Sequence, residues 1–230
     1  MRRRDVISKL YFRYGAMNSG KTTNLLQVAY NYEERDQFVV IIKADIDKKG
    51  GNKIVARVGM EREVDYLIKP EDDIIKILKP RFDNLNCILV DEAQFLTEEQ
   101  VFELFVIAKK YDIPVIAYGL RTDFKTNAFP GSLALFRLAD EFEEAPTICR
   151  CGEKARFNAR IINGKFVSDG NQVAIDEMDE VHYESLCGKC YLEKVMNYDM
   201  EEKNNYENLT DTELNSIVDE INKIIKKRKG

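Results

Sequence analysis

The segment GAMNSGKT, Gly15 to Thr22, constrains the fold of this chain more than any other stretch. It is a glycine, four residues, then Gly20-Lys21-Thr22. An aromatic run at residues 9–14 (KLYFRY) precedes it and reads as a strand. Residues 22–35 follow as a helix with Leu25, Leu26, Val28 and Ala29 on its apolar side. Set between strand and helix, this spacing makes a loop that grips phosphates. Gly15 and Gly20 reach backbone angles that other residues disfavour. Successive N–H groups then turn inward at a helix N-terminus and form an anion cradle. Lys21 can reach terminal phosphates, and Thr22 offers a hydroxyl to Mg²⁺. A chance glycine turn is the alternative, and the flanking strand and helix count against it.

The next segments keep to that plan. Residues 38–42 (FVVII), 87–90 (CILV) and 114–118 (PVIAY) are apolar runs of the kind buried on both faces of a parallel sheet. Residues 72–78 read as a short helix stopped by Pro80, and residues 45–52 as a polar, glycine-containing loop. Thr97 with Gln100 forms a capping box for a helix through Lys110. Strands alternating with helices predict an α/β layer with a mostly parallel sheet and the glycine loop at its carboxyl edge. Near Ala145 the alternation stops. We expect a nucleotide-binding domain over residues 1–145, a small cysteine-bearing domain over 146–203 and a tail over 204–230. In the tail, Thr210 and Glu213 look like a cap. Leu214, Ile217, Val218, Ile221, Ile224 and Ile225 follow as an apolar helical stripe, to pack on the body or on another subunit; otherwise the tail is frayed.

The acid-ending strand is the usual companion of a phosphate loop. In CILVDEAQF, Asp91 would hold Mg²⁺ directly or through water, and Glu92 could take a proton from an attacking hydroxyl. The alternative makes Glu92 a strand-end surface charge. DEAQ also looks like the DExx motif of helicase-type ATPases, in which the glutamate prepares water. Such motors need a second core domain to supply an arginine, and 230 residues are too few for two. The net charge of −5 also counts against a nucleic-acid partner, since basic residues cluster only at residues 2–4 and 226–229. No apolar run approaches the roughly 20 residues of a membrane span, and the start carries no export signal, so a cytoplasmic location is expected.

Five cysteines in such a chain argue for metal rather than disulfides. Cys149-x-Cys151 and, after thirty-five residues, Cys187-x-x-Cys190 suit a tetrahedral structural zinc with no open position for chemistry. The alternative is four reduced, buried thiols. Cys87 reads as strand core and His182 as an ordinary histidine. In GLRTDFKTNAFPG, residues 119–131, Phe124 and Phe129 either line a pocket for a flat ring or anchor the loop.

The ordered set LYFRYGAMNSGKTT, LVDEAQFLT, YGLRTDF, CRCG and YESLCGKCY resembles the cellular-type (type II) thymidine kinases, in a bacterial-like form. The resemblance implies a RecA-like P-loop domain with a small zinc domain carrying a lasso loop. It implies phosphoryl transfer from ATP to the 5′-hydroxyl of thymidine or deoxyuridine, with Glu92 as general base. ATP would be held by Gly15, Ala16, Met17, Asn18, Ser19, Gly20, Lys21 and Thr22, and by Asp91, Glu92, Ala93 and Gln94. Mg²⁺ would lie at Thr22 and Asp91. The nucleoside would meet Met17, Phe95, Leu120, Phe124, Phe129 and Tyr183. A lasso over residues 158–175 would bring backbone groups at Gln172 and Ala174 to the base. A homotetramer and inhibition by dTTP are implied too. The chain departs from the family pattern at Lys49, where an arginine is common, at Gly188, where a basic residue is common, and by about two extra residues between Ile175 and Tyr183.

Overall fold

The computed structural model describes residues 7–45, 51–172, 181–198, 210 and 212. The first body contains β1 (Leu10–Tyr14), α1 (Lys21–Glu33), β2 (Val39–Ala44), β3 (Lys53–Val55), β4 (Glu61–Glu63), β5 (Tyr66–Ile68) and α2 (Ile74–Leu78). It continues with β6 (Cys87–Asp91), α3 (Glu98–Lys110), β7 (Val115–Gly119), α4 (Pro130–Leu138) and β8 (Glu141–Glu144). Six of these strands form one sheet in the order β5-β2-β6-β7-β1-β8, with every pairing parallel. Along β2, Val40 and Ile42 enter the core on one face, while Val39 and Ile41 enter the core on the other. Burial on both faces is why the central strands carry no polar alternation.

The capping box forms as expected: Gln100 N donates to Thr97 Oγ1 at 3.2 Å, and Thr97 N donates to Gln100 Oε1 at 3.1 Å. Pro80 does not stop the chain's helical course. A 3-10 turn, Lys79–Asn84, carries it on with Pro80 near its start, where a missing N–H costs nothing. Five elements of this body lay beyond the sequence reading: β3 and β4, which form a hairpin, β5, α4 and β8. The last reads EFEE, because it is an exposed edge strand held only by β1.

After Ala145 the chain builds a three-stranded antiparallel sheet, β10-β9-β11, from β9 (Phe157–Ile162), β10 (Lys165–Val167) and β11 (Val181–Leu186), followed by α5 (Gly188–Lys194). The expected lasso over 158–175 is therefore strand through most of residues 158–167 and irregular over 168–172, while 173–175 fall outside the described residues. The tail helix, Lys49 and Ala174 fall outside the described residues. Among the described residues no helix is long and apolar enough to cross a membrane.

Candidate active site

β1 and β6 are not neighbours; β7 lies between them. Two strand spacings, about 9.6 Å, therefore separate the end of β1 from the end of β6. The glycine loop and the acidic turn thus face each other across a gap at the carboxyl edge of the sheet. The loop itself is tightly held. A Cβ at Gly15 would meet Ala145 O and Ser19 Oγ, both at 2.6 Å. Asn18 and Gly20 take positive φ, 64° and 75°. Lys21 Nζ donates to Ala16 O at 2.8 Å, to Gly15 O at 3.3 Å and to Ser19 Oγ at 3.2 Å. Burial pulls the lysine's pKa down to about 8, against the opposing effect of the Glu92 and Asp91 charges.

At the end of β6, Asp91 is 6% exposed. Burial, and then the neighbouring Glu92 charge, push its pKa up to about 7. Glu92 adopts φ 51°, ψ 36°, an uncommon conformation for a residue with a side chain. That turn sends the chain into the 3-10 segment Ala93–Phe95. Gln94 is fully buried and fixes Glu92. Its Oε1 accepts from Leu120 N at 3.0 Å, so its amide nitrogen faces Glu92 Oε2 and donates at 2.5 Å. The other Glu92 carboxylate oxygen has no hydrogen-bond partner among the described residues. The turn is also pressed from outside: a Cβ at Gly131, in α4, would run into the backbone oxygens of Ala93, Gln94 and Leu96.

Two cavities open at this edge. The first, about 390 Å³, is the cradle, lined by the glycine loop from Met17 to Thr23, by residues 55–58, and by Glu92 and Leu120. The second, about 340 Å³, is mostly apolar; Met17, Phe95, Leu120, Phe124, Phe129 and Tyr183 line it, together with Glu92. Both volumes suit a small-molecule site. Met17, Glu92 and Leu120 belong to both walls. The carboxylate therefore stands at the junction of an anion cradle and an aromatic chamber. Phe124 and Phe129 are buried around the chamber, and Phe95 meets Phe129 edge-on at 5.3 Å. Of the expected donor-side residues, Gln94 lines the aromatic chamber instead of the cradle, and Ala93 is fully buried and lines neither. Gly15 and Ala16 lie behind the cradle and present carbonyls to Lys21.

Cys149, Cys151, Cys187 and Cys190 come together with all four sulfurs within 4.8 Å of one another. Cys151 and Cys187 sulfurs are 3.6 Å apart, near the edge of about 3.8 Å of a tetrahedron with zinc–sulfur arms. The cluster could hold a metal such as zinc. Cys190 N also donates to Cys187 Sγ at 3.5 Å. His182 lies outside the cluster, and Cys87 is buried core in β6.

The cysteine-bearing sheet reaches into the site at several points. Met17 N donates to Asn158 Oδ1 at 2.7 Å, and Met17 O accepts from Ser185 Oγ at 2.5 Å. Asn158 and Ser185 are cross-strand partners on β9 and β11, so one ladder rung grips both sides of a glycine-loop residue. Gln172 Nε2 donates to Asp123 Oδ2 at 3.2 Å and lines the chamber. The sequence reading missed Arg160. It is 2% exposed, with no ion pair to a described carboxylate. Its guanidinium lies 3.8 Å above the Phe124 ring centre and donates to Tyr183 Oη at 2.9 Å, Asn171 O at 2.6 Å and Gln172 O at 2.9 Å. An arginine inside FNARII gives no sequence signal of this role, which depends on the β9–β11 register.

The sequence has counterparts among known proteins. The thymidine kinase family model matches residues 8–191. The thymidine kinase of Pasteurella multocida (strain Pm70) is 45% identical over 192 residues, covering 82% of this chain and 99% of that one. The thymidine kinase of Shewanella oneidensis is 43% identical over 191 residues, covering 81% and 98%. That of Francisella tularensis subsp. holarctica (strain LVS) is 40% identical over 196 residues, covering 82% and 99%.

Proposed function

The chain belongs to the thymidine kinase family, and from that membership we propose that it transfers the terminal phosphoryl group of ATP to the 5′-hydroxyl of thymidine or deoxyuridine. The observation that carries this reading is the meeting of the two cavities at Glu92. A triphosphate in the cradle and a pyrimidine nucleoside among Phe95, Phe124, Phe129 and Tyr183 would face each other across that carboxylate. The proton of the 5′-hydroxyl passes to the Glu92 oxygen that Gln94 leaves free, while Gln94 holds the other. Lys21 and the loop N–H groups balance charge on the transferred group. Mg²⁺, as a hard cation suited to Thr22 and the buried Asp91 carboxylate, would supply charge neutralisation at the phosphates. Zinc in the four-cysteine cluster would hold structure. Backbone carbonyls at residues 171 and 172, fixed by Arg160, form a polar roof where a base edge would lie.

The same arrangement fits end-product control. A dTTP base in the chamber would place its phosphates in the cradle and block both substrates. Homotetramer assembly and a cytoplasmic location, where the thiols stay reduced, complete the proposal. Labelled ATP incubated with thymidine, with DNA, and with neither is the test. Labelled thymidine monophosphate is the expected product; DNA-stimulated free phosphate without it overturns the kinase reading.

Arg160→Ala removes the fork that supports the chamber. Hydrogen bonds to a charged group contribute about 1.5–3 kcal/mol each, so the KM for thymidine should rise on the order of tenfold to a hundredfold. The KM for ATP should hold within about twofold, since Arg160 lines no part of the cradle. Arg160→Lys keeps charge but not the fork, and should recover only part of the loss.

A further inference from the structure

We propose that Arg57 is the second cation of the cradle, contacting the terminal phosphates of the donor and the charge that develops on them during transfer. The proposal rests on the kinase reading and extends it to a residue that no motif marks. Among the described residues lining the cradle, only Lys21 and Arg57 are cationic. Lys21 is half-buried and bonded to its own loop. Nearby arginines are committed elsewhere: Arg13 pairs with Glu143 at 2.6 Å, and Arg62 with Glu33 at 2.6 Å. Arg57 is exposed and forms no hydrogen bond or ion pair with any described residue. It is a cation lining the cradle in a chain of net charge −5, without a partner among the described residues.

Its position is built, not incidental. Arg57 sits in the turn joining β3 to β4. Ala56 N donates to Met60 O at 2.8 Å, and Gly59 N donates to Ala56 O at 2.9 Å, with Gly59 at φ 87°. The residue before it, Ala56, is 2% exposed. With Ile54 and Val64, Ala56 joins the core made by Leu25, Leu26 and Ala29 of α1. The Arg62–Glu33 pair ties the other arm of the hairpin to the same helix. α1 begins with Lys21 and Thr22, so a hairpin anchored on that helix sets its arginine in the wall of the same cavity as the phosphate grip. In the transfer, the bond from the 5′-oxygen to the γ-phosphorus forms as the bond to the β-phosphate oxygen breaks, and Glu92 keeps the proton. Charge accumulates on the departing β-phosphate, and a guanidinium offers paired donors matched to phosphate oxygens.

The test is Arg57→Gln beside Arg57→Lys and wild type, each checked for an unchanged melting temperature. Arg57→Gln should bind ATP at least fivefold more weakly and lower kcat by on the order of tenfold to a thousandfold. Thymidine affinity should stay within twofold, and Arg57→Lys should regain part of the loss. A folded Arg57→Gln with ATP affinity and kcat both within twofold of wild type overturns the proposal. So does a loss shared equally by thymidine binding and melting temperature, which would mark a collapsed hairpin. Wild-type protein inactive on thymidine would strike the kinase reading instead, and ATP binding by calorimetry would still decide Arg57.

Discussion

Glu92→Gln is expected to fold, bind ATP and thymidine with near-normal affinity, and lose kcat by about 10² to 10⁴-fold, the usual range for a positioned general base. The substitution preserves size and the chance to accept from Gln94 Nε2, so the αL turn at residue 92 and the packing of Gly131 against it remain. What it removes is the oxygen able to hold a proton. The loss corresponds to about 3–5 kcal/mol of transition-state stabilisation. Steady-state kinetics should show it in kcat with KM little changed. A variant that retains more than a tenth of wild-type kcat would mean that the proton leaves by another route.

Cys187→Ser should have the largest structural effect. The small core around the cysteine cluster has eight buried members: Cys149, Ala155, Ala159, Leu186, Cys187, Cys190, Tyr191 and Val195. Three of the eight are cysteines of the cluster, so a core without metal has few apolar side chains and packs three thiols that must also be kept apart. Structural zinc binding is worth on the order of 10 kcal/mol in small metal-dependent modules. Loss of one ligand should take bound metal from about one per chain toward zero and unfold this sheet before the parallel one. Unfolding would release Met17 from Asn158 and Ser185, and the Phe124 carbonyl from Tyr191 Oη, which donates to it at 2.7 Å. Both cavities should then suffer: thymidine affinity falls, and ATP affinity falls with it. Elemental analysis with two-step melting checks this. Full metal content in the variant would remove Cys187 from the ligand set, and absence of metal from freshly purified wild type would remove the metal from the account.

Much of this was legible in the residues because it is local chemistry. The glycine loop is a backbone conformation that few sequences encode, and the capping box at Thr97 needs only neighbours three positions apart. The strands 39–44 and 87–91 announce themselves by apolar runs, since both faces are covered. The polar strand EFEE was not legible, because an edge strand draws its stability from one neighbour and keeps its side chains in water. Nor was the interrupted lasso: NARII and KFV pair as β9 and β10 only because an antiparallel turn intervenes. The family resemblance implies a donor-side place for Gln94, beside Asp91 and Glu92 in the sequence. The 3-10 turn instead swings it under the aromatic chamber, where Leu120 fixes its orientation.

The sequence by itself determined the phosphate grip, the acidic strand end and the four thiols, since each is a short pattern whose chemistry follows from residue type and spacing. Tertiary structure alone decided what those parts face. Strand order placed β7 between the loop and the acid, and cross-strand register set Asn158 and Ser185 on Met17 and Arg160 beneath the chamber's roof. Hairpin packing brought Arg57 to the cradle. These contacts join residues tens to more than a hundred positions apart, and only burial of apolar surface in a shared core, which no local pattern records, brings them together.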